Sequence, residues 1–229
     1  MQINAIVLSA GKGTRMKSDV SKQYLLVDDR PVLYYTLAAF EQSKIDDIIV
    51  VTAKEDIEFV QKEIIEKFGF CKVSKVVSGG KERYDSVIAG LAVMDDGDKV
   101  LIHDGARPLI KTEQIDEMIE EIKNCPACIA GMPVKDTIKI ADEEGMVVST
   151  PNRKFVWQIQ TPQAFDVSLI KSAYDKMKEH NDTTITDDAM AVEKYTDEKI
   201  KLIMAGYENI KITTPEDLLL MKGILERRK

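Results

Sequence analysis

The sequence predicts a single doubly wound α/β domain, a mostly parallel sheet with helices on both faces, carrying a protruding β-hairpin arm. Three observations point there. Short β-rich apolar runs alternate with helical periods along the chain, a glycine-containing loop follows the first apolar run, and one central stretch breaks the rhythm with two β-rich runs around a glycine turn. At 229 residues and 44% hydrophobic content the chain can fill one large core. No repeat, low-complexity segment or linker divides it, so residues 1–229 read as one domain.

Taken in order, residues 4–8 give the first strand and 31–42 the first helix; 48–51 and 57–68 repeat the pair, and Gly69 stands where a helix C-cap belongs. Residues 72–77 form the next strand, 84–94 a helix and 100–102 a strand, and Thr112 caps a helix running to residue 124. Residues 136–140 and 146–150 flank Asp142-Glu143-Glu144-Gly145 and read as an antiparallel hairpin, an arm at about 135–155. Residues 210–213 read as a last strand. Thr214, Pro215, Glu216 and Asp217 then supply an N-cap, a proline at the first helical position and first-turn acids for the final helix.

A formal net charge of -7 argues against nucleic acid or an anionic membrane as partner, since both call for a broad basic surface. The N-terminus has neither a charged leader region nor a long apolar one, and no apolar run approaches membrane length, which predicts a cytoplasmic protein. Three cysteines make a poor disulfide framework. Cys125 and Cys128 have redox and zinc spacing, but there is no second pair and both histidines stand apart in sequence, so the pair reads as structural.

Against this acidic background Lys12, Arg15, Lys17 and Lys22 crowd into the loop after the first strand. In an open parallel sheet that loop lies at the carboxyl edge, where ligands bind. Gly11 and Gly13 let backbone N–H groups approach an oxyanion, and the cations can neutralise it, so phosphate is the natural ligand. The loop is neither a Walker motif nor a dinucleotide fingerprint, because Met16 and Lys17 stand where those patterns need other residues.

The order Leu8-Ser9-Ala10-Gly11-Lys12-Gly13-Thr14-Arg15-Met16, followed by Lys22-Gln23-Tyr24, resembles the signature loop of nucleotidyltransferases that activate sugar and polyol phosphates. Ser78 to Val87, His103-Asp104-Gly105-Ala106-Arg107-Pro108, Val134 to Thr137, Gln160-Thr161-Pro162-Gln163, Thr186-Asp187-Asp188-Ala189 and Asn209 to Thr213 extend the likeness over nearly the whole chain. Together they resemble the 2-C-methyl-D-erythritol 4-phosphate cytidylyltransferases. The resemblance implies a Rossmann-like nucleotidyltransferase fold and transfer of a cytidylyl group from CTP to that polyol phosphate, with release of pyrophosphate, in the non-mevalonate isoprenoid precursor pathway. Ribitol 5-phosphate is the alternative acceptor; a non-catalytic nucleotide-binding regulator is the alternative of another class, and the retained cations weigh against it.

A phosphate nucleophile with a second pKa near 6 is mostly dianionic at neutral pH and needs no general base. Positioned cations and a divalent ion should therefore dominate catalysis. By the resemblance, Arg15 and Lys22 stabilise the transition state, while Arg153 and Lys211 orient the acceptor. Ala10, Gly11, Lys12, Gly13, Gly79, Gly80, Arg83 and Ser86 bind the nucleotide, the two glycines of Gly79-Gly80 passing flat against the base. Asp104 holds Mg2+ (or another divalent cation), or a hydroxyl of ribose or substrate. Gly105, Arg107, Asp136, Thr137 and Thr161 serve the acceptor. Some members carry an acidic residue where this chain has Lys81, and the ribitol-5-phosphate relatives commonly carry alanine where it has Gly105, a small change expected to keep the backbone contact but loosen the loop. His103 reads as a core histidine. The resemblance also implies a homodimer through the hairpin arm.

Overall fold

Isoleucine, valine and leucine dominate the early strands because both faces of the sheet are covered, and a strand buried on both sides needs no polar alternation. In β1 (Ile3–Ser9), Ala5 and Val7 face one core while Ile6 faces the other. The computed structural model describes residues 1–11, 21–94 and 97–228. Lys12, Gly13, Arg15 and Lys17 lie outside the described residues.

After β1 come a short hairpin of β2 (Leu26–Val27) and β3 (Arg30–Pro31), helix α1 (Val32–Gln42) and strand β4 (Asp47–Thr52). Helix α2 begins at Ile57–Phe59 and continues as a π-helix through Val60–Glu66, ending at Gly69, whose φ of 70° is the expected left-handed cap. Strand β5 (Val73–Ser78), helix α3 (Arg83–Val93) and strand β6 (Lys99–Asp104) complete the first half. Helix α4 (Thr112–Ile122) starts one residue earlier than the cap assignment predicts. The Gln114 side chain takes the Lys111 N–H at 3.1 Å, and the Thr112 hydroxyl instead donates to Ala39 O of α1 at 3.2 Å.

The second half holds elements that sequence reading leaves unassigned: β7 (Ala127–Pro133), then, beyond the arm strands β8 (Ile140–Ala141) and β9 (Val147–Ser149), β10 (Trp157–Asp166), α5 (Val167–Glu179), α6 (Asp188–Tyr195) and β11 (Lys201–Met204). The main sheet runs β11-β7-β10-β6-β1-β4-β5, parallel except for β10, which lies antiparallel to both β6 and β7. Residues 210–213 are not a strand. They form an extended strap tied to the sheet by Ile212 N–H donating to Ala106 O at 2.8 Å, before α7 (Pro215–Arg228).

Leu33, Leu37 and Phe40 of α1 pack with Ile115 and Ile119 of α4 on one face of the sheet; Val87 of α3, Ile170 of α5 and Val192 of α6 pack on the other. A third cluster seats Met221 and Ile224 of α7 on Val32, Leu109 and Ile212. The strap is thereby pressed over the carboxyl ends of β6 and β1.

Candidate active site

The carboxyl ends of β1 and β6, the start of α3, the Lys22–Tyr24 turn and the strap enclose an open cleft of about 200 Å³. Asp104, the last residue of β6, is its electrostatic centre. Its Oδ2 lies 2.7 Å from Lys211 Nζ and 3.8 Å from Arg107 Nε, and its Oδ1 lies 3.4 Å from Arg83 Nε. Burial alone would raise the pKa of this carboxyl, but Arg83, Lys211 and Arg107 together hold it well below the usual carboxylate range.

The strap explains how two distant lysines meet. Ile212 is anchored through its N–H, its carbonyl accepts from Lys22 Nζ at 2.7 Å, and the preceding residue, Lys211, reaches Asp104. Lys22 is buried and lines the cleft beside Ala10 and Gly11. Arg107 donates to Asn209 O at 2.9 Å, while its buried Nε makes no hydrogen bond and faces Asp104 Oδ2.

Beneath Asp104, His103 is fully buried, and desolvation pushes its pKa down to about 3, so the ring is neutral. The Thr161 hydroxyl accepts the Asp104 N–H at 3.1 Å and sits 3.0 Å from His103 Nδ1. The Arg107 carbonyl, 3.3 Å from Nε2, can only accept, which places the ring proton on Nε2 and leaves Nδ1 to accept from the Thr161 hydroxyl.

Gly79 and Gly80 are required by the chain's own packing. A Cβ on Gly79 would stand 2.6 Å from Ser86 Oγ, and one on Gly80 would stand 2.3 Å from Asp85 Cβ. Gly80 N–H donates to Ser86 Oγ at 3.2 Å, so Ser86 also shapes this loop, and Gly80, Lys81, Arg83 and Ser86 all line the cleft. Gly105 departs from expectation. A Cβ there would lie 2.9 Å from Leu8 O and 3.0 Å from Leu33 Cδ1, so glycine permits a tight contact between β6 and β1 instead of loosening the loop.

Arg153, Asp136 and Thr137 are exposed on the arm and do not line the cleft of their own chain; Arg153 donates to Lys135 O at 2.7 Å. The donors present do not build a metal cage. No group of three or more His, Cys, Asp or Glu assembles among the described residues, and both oxygens of Asp104 already face cations, so the residues do not fit a divalent ion held by the protein alone.

The family model for 2-C-methyl-D-erythritol 4-phosphate cytidylyltransferase matches residues 3–227. The chain belongs to this family. Among curated cytidylyltransferases of this name, that of Lachnoclostridium phytofermentans is 52% identical over 228 residues, covering 100% of this chain and 98% of the relative, and that of Alkaliphilus oremlandii is 47% identical, covering 99% and 96%. The crystal structure of a 4-diphosphocytidyl-2C-methyl-D-erythritol synthase from Anaerococcus prevotii superposes with a TM-score of 0.87 at 38% identity, covering 98% of this chain and 96% of the other. A cytidylyltransferase fold thus brings Ala10, Gly11, Lys22, Gly80, Arg83, Ser86, Asp104 and Lys211 to one cleft, with Arg107 and Thr161 against Asp104. Sequence reasoning missed Asp188, which grips Arg83 from α6; its motif was visible, but nothing in the sequence paired it with a cation 105 residues away.

Proposed function

We propose that this cleft activates CTP toward a polyol phosphate. As a member of the family the chain is a cytidylyltransferase, joining CTP and 2-C-methyl-D-erythritol 4-phosphate and releasing pyrophosphate, in the isoprenoid precursor pathway. The observation that carries the site assignment is the convergence of Lys22, Lys211, Arg83 and Arg107 around Asp104 at the carboxyl edge of the sheet.

The chemistry asks for little else. The acceptor phosphate is already a dianion, so the work is to bring anion to anion and to stabilise charge on the α-phosphate. Lys22 meets the developing charge there, with Arg15 proposed beside it. Arg107 serves the acceptor phosphate, as the family likeness implies, and Lys211 and Asp104 orient the acceptor. Lys12, Gly13, Gly79 and Gly80 complete the nucleotide side. A divalent ion such as Mg2+ would take its ligands from the triphosphate's own oxygens and water, neutralising charge before attack. Asp136, Thr137 and Arg153 reach a site only from the arm, which we assign to the partner's cleft in a homodimer. Among the described residues no helix is long and apolar enough to cross a membrane, and we place the enzyme in the cytoplasm.

The test is pyrophosphate release. Turnover is expected only with CTP, a divalent metal and the methylerythritol phosphate together, and chelation should abolish it. Equal or better turnover with ribitol 5-phosphate would overturn the choice of acceptor.

A further inference from the structure

Behind the cleft lies a buried carboxylate that the reaction as described does not use. Asp188, the first residue of α6, is wholly buried, and its two oxygens accept from Arg83 NH1 and NH2 at 2.9 and 2.8 Å. Its Oδ1 also accepts from the Tyr174 hydroxyl at 2.5 Å, and burial beside this carboxylate pushes the tyrosine pKa well up, so the proton stays on the phenol. Desolvation alone would lower the pKa of Arg83, but Asp188 and then Asp104 outweigh it, and the guanidinium stays charged.

A guanidinium is a rigid plane, so fixing two of its N–H groups on one carboxylate fixes the direction of the third. Here that third group, Nε, points at Asp104 Oδ1 from 3.4 Å. Asp188 is itself held at a helix start, where Asp187 caps the backbone N–H of Met190 at 2.9 Å and accepts from Gln163 Nε2 at 2.8 Å. Gln163 in turn lies opposite Ile102 on β6, the strand that ends in Asp104. A closed frame thus runs from the sheet through α6 and Arg83 back to Asp104. Without Asp188, Arg83 is free to turn its paired N–H groups onto the other carboxylate in reach, Asp104, competing there with Lys211.

We propose that Asp188, steadied by Tyr174, is a positioning residue that presents Arg83 edge-on to Asp104 and so keeps the carboxylate's other oxygen for Lys211 and the acceptor. The inference rests on the proposed place of Asp104 in the site. The measurement is steady-state kinetics with both substrates for Asp188→Asn, Tyr174→Phe, Arg83→Lys, Asp104→Asn and the double variant Asp188→Asn with Arg83→Lys, each checked for folding by circular dichroism. Asp188→Asn should lose about 10- to 100-fold in kcat/KM for the polyol phosphate, and Tyr174→Phe about threefold, as expected of a misaimed group. The double variant should be little worse than Arg83→Lys alone, because both lesions act through one guanidinium. Losses that add independently, or a lowered melting temperature with kcat/KM within about twofold of the parent, overturn the proposal and leave Asp188 a stabilising ion pair. Should Asp188→Asn not fold, the same cycle with Tyr174→Phe decides. An impaired Asp104→Asn beside unimpaired Asp188→Asn and Tyr174→Phe refutes this inference alone; a harmless Asp104→Asn removes the site assignment and the inference together.

Discussion

At the scale of single residues, the neutral His103 beneath Asp104 has a consequence that can be measured. Burial lowers its pKa to about 3 in the folded chain, whereas an unfolded histidine titrates near 6.5. Between those values the unfolded state binds a proton that the folded state does not, so stability is fully present above about pH 6.5 and falls by up to about 1.4 kcal/mol per pH unit as the pH drops toward 3. Asp104, also depressed in the fold, adds a loss of the same sign below its unfolded value near 4. Urea unfolding followed from pH 7.5 to 5 should show this slope, and His103→Asn, whose side-chain oxygen can still accept from Thr161, should flatten it. An unchanged slope in that variant would mean that His103 is not the group responsible. Activity in the same range should instead follow the second ionisation of the acceptor phosphate, because the histidine stays neutral and touches only protein.

At the scale of elements, what was legible depended on how strongly each segment advertised its burial. Strands β1, β4 and β6 are runs of β-branched and leucine residues covered on both faces, and they read directly from the sequence. Strand β7, Ala-Cys-Ile-Ala-Gly-Met-Pro, has a single β-branched residue, and β10 carries three glutamines and Pro162, so both advertise themselves weakly and their pairing is supplied by neighbouring strands. The strap at residues 210–213 has strand-like composition but joins no strand: Ile212 N–H bonds to Ala106 O beyond the end of β6, its carbonyl accepts from Lys22, and Lys211 reaches Asp104. Motifs located residues that line the cleft, whereas the pairing of Arg83 with Asp188 required α6 to pack on α5, which in turn packs on α3. Gly105 shows the same limit: its φ is unremarkable, and only the register of β6 beside β1 reveals why a side chain is excluded. Gly105→Ala should therefore cost about 1–3 kcal/mol in urea unfolding, because the Leu8 carbonyl it would strike is backbone and is also the acceptor of the Gly105 N–H at 2.8 Å. Turnover should fall with it, since Asp104 precedes the glycine and Arg107 follows two residues later. A variant as stable and active as the parent would show that the two strands yield easily at this point.

At the scale of the whole molecule, the arm is the feature that the monomer does not account for. Met146, Val147 and Val148 are 61–65% exposed on a two-stranded ribbon whose strand residues are all exposed, and Phe155, in the turn that follows it, is 74% exposed. Isolated ribbons of this size are marginal in water, and so much apolar surface on one projection calls for a partner. Since Thr137 and Arg153 stand on the arm, away from their own cleft, a two-fold pairing that lays each arm on the other subunit would make both sites composite. That arrangement predicts complementation. A Lys22→Ala subunit should lose on the order of 10²-fold or more in kcat, as when one donor to a developing charge is removed, and a Thr137→Ala subunit should be impaired through its arm. In a mixed dimer both lesions fall in one site and the other site is intact. Random reassociation of equal amounts should then restore about a quarter of the wild-type activity, well above either parent, as half of the dimers are mixed and each carries one working site. Sedimentation as a monomer at assay concentration, or verified mixed dimers as inactive as the parents, would rule out the shared site, the latter outcome confining Thr137 to its own subunit or to no role in the reaction.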